Sequence, residues 1–169
     1  MVSASYNNLH HLQVGRIGEY WVKLMLTMHG LDTYYSDVDH KAIDFIVRLD
    51  NATHIDIQVK TVRSSKTSYV FITKESWKES EMIRSNLYLA LVLLQDNEYP
   101  KAYLIPCSAW LSPDQLLCSR DYKERGLRSK NEWGVNISKK NLPLLEQYEL
   151  MKQVEKIRLI KGNEKSNSH

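Results

Sequence analysis

The amino-acid sequence predicts an α/β fold, a central mixed β-sheet flanked by helices. Three stretches carry that prediction. Residues 12–28 repeat apolar side chains at close to helical spacing, residues 43–61 read as two strands around a turn, and residues 86–95 are a near-continuous apolar run of strand length. A strand apolar on both faces belongs in the middle of a sheet covered on both sides. Helices are the expected cover.

The first helix places Val14, Ile17, Trp21, Leu24, Met25 and Met28 in register, with Gly30 as its stop. Gly15 and Gly18 weaken it by up to ~1 kcal/mol each relative to alanine, which makes sense where the helix must approach a sheet or a phosphate closely. Residues 31–35 form a short edge strand, and 36–41 are a polar loop. Residues 43–49 are β-branched and apolar, Asp50-Asn51-Ala52 signals a turn, and 53–61 alternate, so the whole is a β-hairpin. A polar loop with Arg63 and Lys66 leads to a strand at 69–73, and 74–84 is a helical or irregular connection bearing Trp77. The apolar strand 86–95 turns at Asp96-Asn97-Glu98 into a hairpin partner at 101–105, ended by Pro106. Residues 108–117 read as a short helix, 119–130 as a basic polar loop, 132–137 as a last strand and 141–160 as a C-terminal helix. Tyr122, Trp133 and Tyr148 read as core or rim aromatics before base-stacking platforms.

Composition bounds the class. With 43% hydrophobic and 25% charged residues the 169-residue chain is expected to form one domain over residues 1–161, followed by a polar tail at 162–169. No run has the length to cross a membrane, and the N-terminus has no basic and apolar leader pattern, so the expected location is the cytoplasm. Cys107 and Cys118 lack partners at zinc-ligand spacing and read as reduced thiols. The net charge of +3 is uneven: residues 121–169 hold 11 Lys and Arg against 7 Asp and Glu. That asymmetry suits a nucleic-acid surface without requiring one.

The hairpin is where chemistry enters. Alternation puts Ile55, Ile57, Val59 and Thr61 on one face of the second strand and His54, Asp56, Gln58 and Lys60 on the other. Asp44 stands alone among Ile43, Phe45, Ile46 and Val47, a costly place for a carboxylate without a cation or partner. Such a face can be an ordinary solvated one. Glu19 on the upstream helix and the pairing of Asp44 with the triplet Gln58-Val59-Lys60 point instead to a site.

That arrangement resembles the PD-(D/E)XK nuclease superfamily. Glu19 in G-R-I-G-E-Y is similar to its helix glutamate, Asp44 to its first-strand aspartate, and Gln58-Val59-Lys60, within I-Q-V-K-T, to a Q-x-K form of its triplet. The resemblance spans roughly residues 13–105; small members of the superfamily include Holliday-junction resolvases and a group-I-intron homing endonuclease. It implies a restriction-endonuclease-like core with a helical crossover after the hairpin. It also implies a Mg²⁺-dependent DNA endonuclease, of homing or restriction type or of resolvase type, with Mn²⁺ as a possible substitute.

The resemblance assigns roles. Asp44, the Gln58 amide oxygen, the Val59 carbonyl and Glu19 would hold the metal, Lys60 would address the attacking water, and Arg63 and Lys66 would contact phosphate. Asp37, Asp39, His40 and Asp56 are further candidates for the metal environment. Gln58 removes one negative charge from the cage, so a non-catalytic DNA-binding module and a protein-interaction domain stay open as alternatives. Cutting both strands with so small a domain implies a homodimer or larger homo-oligomer.

Overall fold

The structure is a computed structural model in which residues 5–35, 42–79 and 82–166 are described. Helix α1, His11–Met28, opens at His10: its ring accepts from Leu12 N–H while Gln13 Oε1 accepts from His10 N–H at 2.8 Å. It stops where Gly30 takes φ +72°, a left-handed turn that glycine adopts without a Cβ penalty. Strands β1, Asp32–Tyr35, β2, Phe45–Arg48, and β3, His54–Arg63, then form an antiparallel meander. The expected hairpin is present, with Asp50 Oδ1 accepting from Ala52 and Thr53 N–H in its turn.

The chain next leaves the sheet. Strand β4, Tyr69–Thr73, short helix α2, Lys74–Trp77, and the two-residue strands β5, Lys78–Glu79, and β6, Met82–Ile83, precede β7, Leu87–Leu94, which lies parallel to β3. The strand expected at 69–73 is β4, and the helical or irregular connection expected at 74–84 holds one short helix and two two-residue strands. Strand β8, Lys101–Pro106, pairs antiparallel with β7 and completes a five-stranded mixed sheet in the order β1-β2-β3-β7-β8.

β4 belongs to a second sheet with β9, Leu117–Arg120, and β10, Glu132–Asn136, in the order β4-β10-β9. The expected helix at 108–117 is a 3-10 turn at Cys107–Leu111, and β9 takes up the start of the expected basic loop. The C-terminal helix is broken. Helix α3, Leu142–Leu145, and a 3-10 turn end at Glu149, whose φ −48°, ψ 132° is extended, before α4, Leu150–Ser166. α4 runs through most of the segment expected as a polar tail. No described helix is long and apolar enough to cross a membrane.

Two cores sandwich the main sheet. One face packs Val22 and Leu26 of α1 and Leu150, Val154 and Ile157 of α4 against Phe45, Val47, Ile55, Ile57, Ala90 and Val92. The other packs the second sheet, through Val70, Ile72, Trp133 and Val135, with Trp77 and Trp110 against Leu87, Leu89, Leu91 and Ile105. The alternation along β7 supplies both, as its double-sided apolar pattern requires.

Candidate active site

Strand β3 runs past the start of β2, and the site lies where they part. Phe45 is the register partner of Ile57, yet Asp44 N–H also donates to Ile57 O at 2.8 Å. Two residues of one strand thus oppose one of the other, the pattern of a β-bulge, which re-aims a side chain. Asp44 Oδ2 accepts from Val59 N–H at 2.5 Å. The carboxylate occupies the ladder position that β2 no longer fills, and so meets the middle residue of the Gln58-Val59-Lys60 triplet. Within one strand residue N–H and C=O point to the same side, so the Val59 carbonyl is directed toward this same gap.

Gln58 and Lys60 share the opposite pleat from Ile57 and Val59, the side covered by the second sheet. Gln58 is half-buried, and its Oε1 accepts from the indole Nε1–H of Trp77 at 2.6 Å. Trp77 is wholly buried, its ring edge-on to Trp110 with centroids 5.6 Å apart. Lys60 is half-buried and makes no ion pair among the described residues.

Glu19 lies on α1, the helix that packs on β3. Gly18 sits so tightly on β3 that a Cβ there would fall 1.8 Å from Thr61 Oγ1, beside Lys60. Gly15 has open space around it, so only the second of the two glycines serves close approach. One turn along α1, Lys23 Nζ lies 5.0 Å from the centre of the Phe45 ring, next to Asp44. Glu19 and Lys23 lie one turn apart on α1 and share a helix face. Its carboxylate is paired with Arg16 at 2.7 Å, and no hydrogen bond or ion pair joins Glu19, Gln58 and Lys60 to one another.

The remaining candidates separate. Arg63 Nη1 donates to the carbonyls of Tyr6, Asn7 and Leu9 at 3.0–3.1 Å, which directs its guanidinium to the N-terminal segment. Lys66 is exposed on the following loop. Asp56 is buried and faces Arg84 at 3.6 Å, so its charge is already matched. Asp37, Asp39 and His40 lie outside the described residues. Among the described residues no group of three His, Cys, Asp or Glu side chains converges.

Sequence reading did not anticipate Arg84 or the contact of Trp77 with Gln58. A lone tryptophan within the charged run K-E-S-W-K-E was the available signal for the second. Nothing in the sequence marked Arg84, whose Nε and Nη2 are buried without a hydrogen-bond partner.

The five-stranded mixed sheet with its helical cover is a restriction-endonuclease-like core. Among solved structures the chain is similar to the Holliday junction resolvase Hjc of Archaeoglobus fulgidus, an archaeal hyperthermophile. The TM-score is 0.51 at 13% identity, over 83% of this chain and 95% of that one. The likeness is one of fold. No protein-family model and no curated protein matches the chain.

Proposed function

We propose that this chain is a metal-dependent DNA endonuclease that hydrolyses phosphodiester bonds, acting as a homodimer or larger homo-oligomer, with a resolvase-like or homing and restriction-like role. The observation that carries the proposal is the bond from Val59 N–H to Asp44, which brings a carboxylate onto the Gln58-Val59-Lys60 strand in a fold shared with a resolvase. The donors proposed for the ion are all oxygens, the Asp44 carboxylate, the Val59 carbonyl and the Glu19 carboxylate, and such a set fits Mg²⁺ or Mn²⁺. A divalent ion there would neutralise charge on the phosphate and lower the pKa of a bound water. Lys60, half-buried and without an ion pair among the described residues, orients that water or the phosphate oxygens. Lys66 contributes a phosphate contact from the next loop.

Gln58 favours a second reading, a DNA-binding module without hydrolysis. Its side-chain oxygen is already engaged by Trp77, which leaves two carboxylates for a cation.

Incubation of purified protein with Mg²⁺ or Mn²⁺ on linear, nicked and four-way-branched duplexes tests both. Cleavage by wild type, lost by at least a hundredfold in Lys60→Ala and Asp44→Asn with unchanged circular dichroism, is the expected result. Salt-dependent binding with no cleavage of any substrate transfers the case to the binding module. Wild-type rates from Lys60→Ala reject the assignment of the cleavage to this triplet.

A further inference from the structure

The bond between Trp77 and Gln58 fixes which end of the amide meets the site. An indole has one N–H and no acceptor, so only the oxygen of a glutamine can stand before it. The 2.6 Å contact therefore seats Gln58 Oε1 against the buried tryptophan and turns Nε2 the other way. Nε2 has no hydrogen bond among the described residues. The buried side-chain atoms without a partner are Thr61 Oγ1 and Arg84 Nε and Nη2, and Nε2 is not one of them. The amide nitrogen accordingly reaches solvent, on the same pleat as Lys60, whose Cα lies two residues and roughly 7 Å along the strand.

We propose that Gln58 and Lys60 form a two-donor cradle for a phosphodiester oxygen of the nucleic acid, and that Trp77 is the positioning residue that holds Gln58 in the donor orientation. This rests on the endonuclease reading and replaces the metal-ligand role that the resemblance implies for Gln58: Gln58 recognises the anion, and the cation falls to Asp44, the Val59 carbonyl and Glu19. The substitution of amide for carboxylate at this position then has a physical meaning. A carboxylate cannot donate, whereas the amide offers two N–H groups to a phosphate while its oxygen satisfies an indole that would otherwise be buried unpaired.

The test separates cation binding from anion binding. Mn²⁺ affinity is measured by titration calorimetry, and affinity for a fluorescent duplex by anisotropy in EDTA. Gln58→Ala is expected to hold Mn²⁺ within twofold of wild type while weakening the duplex about tenfold, the scale of one hydrogen bond to a charged group. Asp44→Asn is expected to do the reverse, losing Mn²⁺ by more than tenfold with little change for the duplex. Trp77→Phe, which removes the donor, should weaken the duplex severalfold with Mn²⁺ binding intact.

Loss of Mn²⁺ by Gln58→Ala equal to that of Asp44→Asn would overturn the inference, because it would make Gln58 a ligand. In the unmutated protein the side-chain NH₂ resonances of Gln58 should shift when duplex is added in EDTA. Resonances unmoved by saturating duplex overturn it without recourse to any variant. A wild-type protein that binds neither Mn²⁺ nor duplex removes the endonuclease reading itself, and the cradle with it.

Discussion

The two faces of the central sheet are covered by different materials. Under α1 and α4 the described core is apolar, and the half-buried Thr61 has its hydroxyl pressed against Gly18 without a hydrogen-bond partner. Under the second sheet the leucines of β7 share the face with Asp56, Gln58, Lys60 and Arg84. Three of the four tryptophans lie on that side, and two of them donate, Trp77 to Gln58 and Trp110 to Gly134 O at 3.0 Å. A helix presents no spare backbone group to a sheet, so a face packed by helices is best served by hydrocarbon. A face that must keep polar side chains needs cover that can hydrogen-bond, and large aromatic rings with one polar atom combine both needs.

The largest blow to this division is Trp77→Ala. Removing a wholly buried indole costs ~3–5 kcal/mol, and it also strips Gln58 Oε1 of its donor. Urea unfolding should show a midpoint shift of that size, and a loss below about 1 kcal/mol would mean that the second sheet does not depend on this contact.

Gly18→Ala tests the helix-covered face. The added methyl would lie 2.9 Å from Thr61 Cβ, which rotation about χ1 cannot relieve, although it can move Oγ1. Overpacking of ~1–3 kcal/mol should outweigh the ~1 kcal/mol that alanine contributes to the helix. Thr61→Val sharpens the contrast in the opposite sense, since it replaces the buried unpartnered hydroxyl with an isosteric methyl and should raise stability by about 1 kcal/mol.

A further test is alkaline. Burial pushes the Cys107 thiol up to about 12, opposed by the positive charge of Arg84, and burial with Glu146 beside it pushes Tyr103 to about 12. Both groups stay protonated in the folded protein after their unfolded counterparts have ionised, near 8.5 and 10 respectively. Their contribution is therefore intact below about pH 8.5 and is lost as the pH rises toward 12. The urea midpoint should fall steadily between pH 8 and 10.5, and Cys107→Ala should flatten the lower part of that slope; an unchanged midpoint across the interval would contradict the burial of both groups.

Local patterns were readable from the sequence and distant pairings were not. α1, the β2–β3 hairpin and β7 each announce themselves through spacing and a turn within a few residues. The strands at 69–73 and 132–137 were legible singly, but their pairing into a second sheet with β9 depends on partners such as Thr73 and Glu132 that meet only in space. The break at Glu149 is silent in an apolar pattern that continues in register through Tyr148 and Met151.

At the candidate site, the sequence drew attention to Asp44 by setting a carboxylate between Ile43 and Phe45 in an apolar strand run. The direction of the Gln58 amide had no such signal, because its indole partner lies on another element. Arg63 shows the limit of reading charge as function. A cation beside the triplet fits a phosphate equally well, and only the folded chain reveals three carbonyls waiting for it.

Those carbonyls belong to a segment that does more than lead into α1. Tyr6 N–H donates to Asp96 at 2.7 Å and its hydroxyl to Glu98 O, so residues 6–9 clasp the β7–β8 turn on one side and the end of β3 on the other. Anyone who trims the front of the polypeptide as far as α1, or fuses a partner domain directly to that helix, will leave a guanidinium and an aspartate to fend for themselves at the far end of the motif strand. A deletion that looks remote in the primary structure will therefore register as altered behaviour of the triplet itself.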